Sequence, residues 1–440
     1  MSRYTAPGEP GCVVRFAGRY DHFIGGEYVS PAEGRYFADT SPVTGEAFAE
    51  VADGTVEDVS LAWEQAHGAA ARWSKTAVAE RAVILTEIAD RIEDNLEALA
   101  VAESWETGKP VRETLGADLP LAADHFRYFA GAIRAKECTR SLVDGSVVVH
   151  GVRKPLGVVS RSISWDFPML NAAWVLAPAL ATGNTVVLKP AMQTPVSLHV
   201  LLGVIADLVP PGVINVVNGY AGEPPGGRGP AVFFGDVTGR GDGFAGRALD
   251  GFATGTSLAL VQHGRYEQFL EAALGRVEAL VPGHPLDPAT TVGALVSADE
   301  LGKVLWYIDN AVSSGAVVRC GGGRLDLGGP LTGGYFVAPT MIEGDKNRVP
   351  PGWPVISAGR FNDFDDAVKL VNDLPAGSGV SVWSRDTGVG FRAAQAIHAD
   401  RVWVNNDHTF PAEAVYGHED RHGLLPQYWR ERRLLVNYGP

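Results

Sequence analysis

An α/β fold is what this sequence predicts, and three observations carry the prediction. The first is the stretch Val158–Pro195: an apolar run to Ser164, a turn at Trp165, Asp166, Phe167 and Pro168, a helix over Ala172–Leu180, a stop at Gly183 and Asn184, and a second apolar strand, Thr185–Leu188, closed by Lys189 and Pro190. The second is that the alternation continues, with a helix over Val196–Leu208 and a strand over Val213–Asn218. The third is size: 440 residues, 46% hydrophobic and 20% charged, suffice for two or three domains with sizeable cores. A parallel crossover of this length brings both strand ends to one sheet edge, where open α/β sheets bind ligands. No GxGxxG pattern accompanies it, so the usual dinucleotide fingerprint cannot be claimed.

Composition narrows the partners. A net charge of -14 leaves no basic patch for nucleic acid or for an anionic membrane surface. The amino terminus has no apolar segment behind a basic start, and no window reaches the roughly 18 uninterrupted apolar residues of a membrane span, so a cytoplasmic protein is expected. Cys12, Cys138 and Cys320 are odd in number, widely spaced and outside any CxxC or Cys/His cluster, which indicates neither a disulfide framework nor a metal site.

In chain order, His22–Val29 and Phe48–Ala52 read as short strands around a turn at Ser41–Gly45. Ile84, Ile88, Ile92, Leu96 and Leu99 then repeat on one helical face across Ala79–Thr107, which Gly108, Lys109 and Pro110 end. Arg112–Ala135 is a second helical region interrupted at Pro120, whose Phe126, Tyr128 and Phe129 read as core. Ser146–Arg153 is rich in β-branched residues. Gly219–Pro230 is too rich in glycine and proline to hold an element interior.

Beyond that seam come a strand at Ala231–Val237, a helix at Gly243–Ala253, a strand at Leu258–Gln262 and helices at Tyr266–Leu280 and Asp299–Ser313. Gly333–Pro339 reads as a strand approach, Asp363–Asp373 as a helix, Gly379–Trp383 and Val402–Val404 as strands, Gln427–Arg433 as a helix and Leu434–Tyr438 as a last strand. His418–His422 formally matches HExxH, but Gly417 and Gly423 bracket it, and it reads as a solvated loop with no metal. Cys320, with no histidine or basic helix end near it in sequence, reads as an inert thiol.

The turn Trp165–Pro168 and the strand Thr185–Pro195 resemble the PWNFP turn and the VVLKPAEQTP strand of the aldehyde dehydrogenase superfamily, and Glu106–Gly131 resembles the amino-terminal helices of its acetaldehyde dehydrogenase-like branch. The resemblance implies an aldehyde dehydrogenase-like α/β fold, with a truncated Rossmann-type cofactor domain, a second α/β domain and a small β oligomerisation element. By it, residues 1–137 and 154–230 form the cofactor-type domain, 138–153 and 426–440 the oligomerisation element, and 231–425 the catalytic-type domain. Two βα units of the family, including its FTGS and LELGGK segments, have no counterpart after Asn218, and the loop of the nucleophilic cysteine is missing at Ala253–Ser257.

Set against the family's chemistry, these departures point to a degenerate member. The family needs a thiolate, a carboxylate that activates water, and a donor for the oxyanion. No cysteine lies between Cys138 and Cys320, the LELGGK glutamate is absent, and Asp166 stands at the asparagine of PWNFP. Ser164, Trp165 and Lys189 remain as cofactor-binding remnants, while Met192 and Pro350, the latter in Val349–Val355, replace two ribose-binding glutamates. The expectation is therefore a pseudoenzyme without cofactor, acting as a homo-oligomer or as a hetero-oligomer with an active aldehyde dehydrogenase. The alternative is an aldehyde oxidoreductase using NAD or NADP at a non-standard site.

Overall fold

The computed structural model describes residues 4–135, 140–142, 147–219, 228–238, 242–344, 352–374, 379–399, 401–407, 409–412 and 425–437. The expected crossover is present. Val158–Ser162 pairs in parallel with Thr185–Lys189, from Val158 opposite Thr185 to Ser162 opposite Lys189, and the helix Pro168–Thr182 connects them. Pro168 suits the first helical position because its missing N–H has no partner there, and Gly183 stops the helix at φ 85°, a conformation costly to residues with a Cβ. Nearly every residue of this helix is buried, since the sheet takes one side and the Leu119–Ala135 helix another.

Ile214–Val216 extends the sheet in parallel, and His22–Ile24 follows on its far side, antiparallel, with Glu27–Val29 outermost. This amino-terminal hairpin extends the Ile214–Val216 side of the sheet, while Val158–Ser162 ends the other side, with Ser160, Arg161 and Ser162 exposed. Val216 faces Phe23, Asn215 Oδ1 accepts from Gly25 N at 2.9 Å, and Asn218 N donates to His22 Nδ1 at 3.2 Å. Those side-chain bonds supplement a short backbone ladder.

The Ala79–Thr107 helix is two helices, Val78–Asp94 and Leu96–Thr107, because the chain leaves helical geometry at Asn95, whose side chain donates to Arg91 O. An unforeseen helix, Val56–Trp73, precedes them. Its start is fixed by Asp58, which accepts from Thr55 N and Thr55 Oγ1 at 2.8 and 2.9 Å. Pro120 does not interrupt its helix. It sits in the first turn of Leu119–Ala135, after a widened turn at Thr114–Asp118 that absorbs its missing donor.

From Pro230 onward a seven-stranded sheet forms in the order Val317–Cys320, Thr340–Glu343, Val355–Phe361, Leu258–Gln262, Pro230–Phe233, Val380–Trp383, Val402–Val404, all parallel except the first. Phe233, Phe252 and Phe269 fill one face, and Val232, Leu260, Phe361 and Val382 the other. Gly333–Pro339 forms no strand; only an isolated bridge joins Val337 to Arg324. None of the described helices is long and apolar enough to cross a membrane.

The predicted helix at Gln427–Arg433 is also corrected. After a single tight turn, Trp429–Asn437 is one strand, antiparallel to Val147–Pro155, which in turn pairs with Arg140–Leu142. Its charged residues suit a strand exposed on its faces as well as they suit a helix. Leu156 N donates to Tyr428 O, so the hydrogen-bonded positions are Arg430, Arg432, Leu434 and Val436, and Glu431, Arg433 and Leu435 turn their N–H groups outward. Val436→Pro should therefore lower stability by about 1–3 kcal/mol in thermal denaturation, from a lost ladder bond. Leu435→Pro should leave the midpoint close to wild type, and equal losses would contradict this register.

Candidate active site

One helical region and the facing edges of the two sheets build the site. On the helix Leu96–Thr107, Glu103 and Glu106 lie three residues apart on one face. Glu103 Oε2 accepts from Met169 N at 3.0 Å, at the start of the crossover helix. Glu106 accepts from Val196 N and Ser197 N, the latter at 2.7 Å, at the start of the Val196–Ile205 helix. Two carboxyls thus occupy two helix amino termini, where N–H groups and the helix dipole favour them. Burial pushes Glu103 up to about 8, reinforced by Asp118 and opposed by Lys109 and the Met169 N–H. Burial raises Glu106 as well, and Asp39 is driven well above its usual range by burial and then by Glu106.

Past Thr107 the chain enters a cleft of about 730 Å³. One wall follows the carboxyl end of Val158–Ser162, with Ser164, Trp165, Asp166 and Phe167. The other is formed by segments entering the second sheet, with Arg228, Gly229, Thr254, Trp353 and Gly379. Phe167, Trp174 and Phe410 pack as a triangle with ring centroids 5.2–5.6 Å apart. Lys109 Nζ lies 2.6 Å from Asp118 Oδ2 and 4.9 Å from the Phe167 centroid. Burial opposes its charge, but Asp118, Glu103 and Glu113 outweigh burial and raise its pKa.

Of the residues singled out in the sequence, Ser164, Trp165 and Asp166 meet at this cleft. Asp166 Oδ1 accepts from Ser164 Oγ and, at 3.1 Å, from Asn171 Nδ2, which also reaches Ser164 Oγ at 3.0 Å. Lys189 closes its strand opposite Ser162 but does not line the cleft. Cys320 is remote from it too: its thiol donates to Pro339 O at 3.7 Å and is pushed up by burial. Cys138, Pro350 and His418–His422 lie outside the described residues.

Sequence reasoning missed Lys109 and Arg228. Gly108, Lys109 and Pro110 were legible as a helix stop, which hid the lysine's part in the cleft. Arg228 sits in the glycine- and proline-rich seam, where no periodicity marks it.

Compared with known proteins, residues 28–224 and 252–419 match the aldehyde dehydrogenase family. A probable aldehyde dehydrogenase of Streptomyces coelicolor is 47% identical over 501 aligned positions, covering 100% of this chain and 99% of its own length. A fluoroacetaldehyde dehydrogenase of Streptantibioticus cattleyicolor is 46% identical over 499 positions, covering 100% and 98%. Both alignments run longer than the 440 residues of this chain, so these relatives carry segments without counterpart here. A mutant indole-3-acetaldehyde dehydrogenase of P. syringae in complex with NAD+ and IAA superposes with a TM-score of 0.87 at 28% identity, covering 96% of this chain and 97% of that one. A second structure, of an indole-3-acetaldehyde dehydrogenase complexed with NAD+, also gives 0.87 at 28% identity, covering 96% of this chain and 97% of that one.

These NAD+ complexes overturn the expectation that no cofactor is used. That expectation rested on Met192 and Pro350 in place of two glutamates and on the absence of the FTGS segment. The sheet edge itself is kept, with Ser164 and Trp165 beside the cleft, and similar chains with this fold hold NAD+. Polar groups of Lys109, Ser164, Asp166 and Asn171 line that cleft and could meet such a group, whereas the buried Gln193 Oε1 and Thr194 Oγ1 just past the Thr185–Lys189 strand, unpartnered among the described residues, do not line it.

The Glu103 carboxyl carries a pH signature. Its folded pKa of about 8 lies above the ordinary value of 4.5, so the stability it contributes is complete below that lower value and is lost as pH rises toward 8. Glu103→Gln retains an acceptor for Met169 N and should flatten the fall in thermal midpoint between those values. Parallel pH profiles for the two proteins would contradict the assignment.

Proposed function

The chain belongs to the aldehyde dehydrogenase family, and from that premise we propose that it is an NAD(P)-linked aldehyde oxidoreductase, forming a carboxylic acid at a site without a cysteine nucleophile. The observation that carries this reading is end-to-end similarity to proteins named aldehyde dehydrogenases, together with a cleft retained at the crossover's sheet edge. Ser164 and Trp165, which line the cleft, are the residues assigned to hold the dinucleotide, which supplies a hydride acceptor when bound; Lys189, at the end of the next strand, lies outside the cleft lining.

The absence of a cysteine between Cys138 and Cys320 sets what the remaining residues must do. An aldehyde hydrate already has the tetrahedral carbon from which hydride leaves, so a thiol is dispensable if a base takes a hydroxyl proton. As the hydrate's C–H bond breaks and its O–H proton departs, a C=O bond forms and the acid results. Asp166 is assigned as that base: a carboxylate is the wrong group to face an oxyanion but the right one to accept a proton, and Ser164 and Asn171 orient it. Phe167, Trp174 and Phe410 provide an apolar wall for the aldehyde's carbon chain.

The missing thiol and the unmatched segments favour one second reading. In it the chain is a degenerate member that acts by association, as a homo-oligomer or with an active aldehyde dehydrogenase. The outward edge of Trp429–Asn437 would then be the pairing strand, with residues 138–153 and 426–440 as the oligomerisation element beside a cofactor-type domain of 1–137 and 154–230 and a catalytic-type domain of 231–425.

Short aliphatic aldehydes with NAD or NADP separate the two readings. Reduced nicotinamide should accumulate steadily, Cys320→Ala should leave the rate unchanged, and Asp166→Asn should cut kcat by roughly 10²-fold or more. Absence of turnover in a protein that sediments as a dimer would select the second reading.

A further inference from the structure

Arg228 stands out in the cleft because its donors are unspent. A guanidinium carries five N–H donors in a fixed fork that matches a carboxylate. Arg228 makes no guanidinium hydrogen bond to any described residue, and its nearest carboxylate, Glu113 Oε2, is 3.9 Å away. It is nevertheless held in place. Its Cζ lies 4.6 Å from the ring centroid of Trp353, whose indole N–H is fixed by Ala253 O at 3.1 Å. Its backbone is pinned by Ser257 Oγ, which donates to Arg228 O at 2.6 Å, and by Thr256 Oγ1, which donates to Gly229 O at 2.9 Å.

The side chain is 22% exposed, and it lines the cleft. Burial lowers its pKa, with Glu113, Asp407 and Asp118 acting the other way. A guanidinium in this setting keeps its charge. In a chain of net charge -14, a fixed and partly desolvated cation in a cavity has to come from local placement.

We propose that Arg228 is an anion subsite that receives a carboxylate, so that the preferred substrates are aldehydes bearing a carboxylate at their far end; the substrate half of this statement rests on the aldehyde oxidoreductase reading. Arg228 enters from the second sheet's wall, whereas Ser164 and Asp166 belong to the first sheet's wall, which leaves the two ends of such a molecule to two sides of the cleft. Glu113 competes for the same cation, and its removal should help an incoming anion.

The subsite is tested by binding, independently of turnover. Calorimetry with glutarate should show saturable binding, and with the neutral isostere glutaramide none. Arg228→Gln should weaken glutarate by about tenfold or more, Arg228→Lys should recover only part of that loss because the fork is gone, and Glu113→Gln should tighten it severalfold. Circular dichroism checks that each variant is folded.

Inorganic pyrophosphate distinguishes the other source of an anion. If it binds through Arg228 and glutarate does not, the cation serves a dinucleotide phosphate, and the carboxylate assignment is overturned. Equal glutarate affinity in wild type, Arg228→Gln and Glu113→Gln overturns it as well. Glutarate binding without any aldehyde turnover would leave the subsite standing while removing the oxidoreductase reading.

Discussion

One turn of helix sets the geometry on which the cleft depends. Glu103 and Glu106 reach from the same face of Leu96–Thr107 to the first N–H groups of two different helices, each of which follows a strand of the first sheet. Burying carboxyls is unfavourable unless their oxygens are paired, and helix starts offer unpaired donors. Glu106 places both oxygens on such donors, whereas Glu103 places only Oε2 there and its buried Oε1 has no partner among the described residues. The same turn runs on into Gly108 and Lys109, so the helix that fixes the sheet's helices also delivers a cation to the cavity. Gly108 takes φ 77°, and a Cβ at that position would meet Ala294 O at 2.6 Å, which leaves room there for nothing larger than glycine.

The cleft's two walls are built differently from the chain. The first-sheet wall is a continuous crossover, where Asn171 from the helix returns to bond Ser164 and Asp166 from the preceding turn. The second-sheet wall is assembled from the starts of several strands, and Thr256 and Ser257 hold Arg228, which lies between the two stretches that match the family. The local path of the chain there seats a charged side chain on a tryptophan.

Local patterns explain what the sequence revealed. Val158–Leu188 was legible because apolar runs, a proline at a helix start and a glycine at its end all report local geometry. Ser164, Trp165 and Asp166 followed, since the turn after a parallel strand must lie at the sheet edge. Lys189 ends its strand opposite Ser162, at the sheet edge, without lining the cleft. Trp429–Arg433 was misread because alternating charges fit an exposed strand and an exposed helix alike, and only Val147–Pro155, far away in sequence, decides between them. The need for a cofactor was misjudged from individual substitutions such as Met192, which say nothing about the sheet edge that was kept.

The amino-terminal hairpin has a consequence for how the molecule is made. Gly25 bonds Asn215, a partner 190 residues later, and His22 bonds Asn218. During synthesis the hairpin must therefore wait, unpaired on its inner edge, until most of the first half of the chain has emerged. Pairings of such long range slow folding and leave strand edges exposed meanwhile. Pairing of the hairpin is thus an event timed by the last strand of the first sheet, which leaves the ribosome long after the hairpin itself.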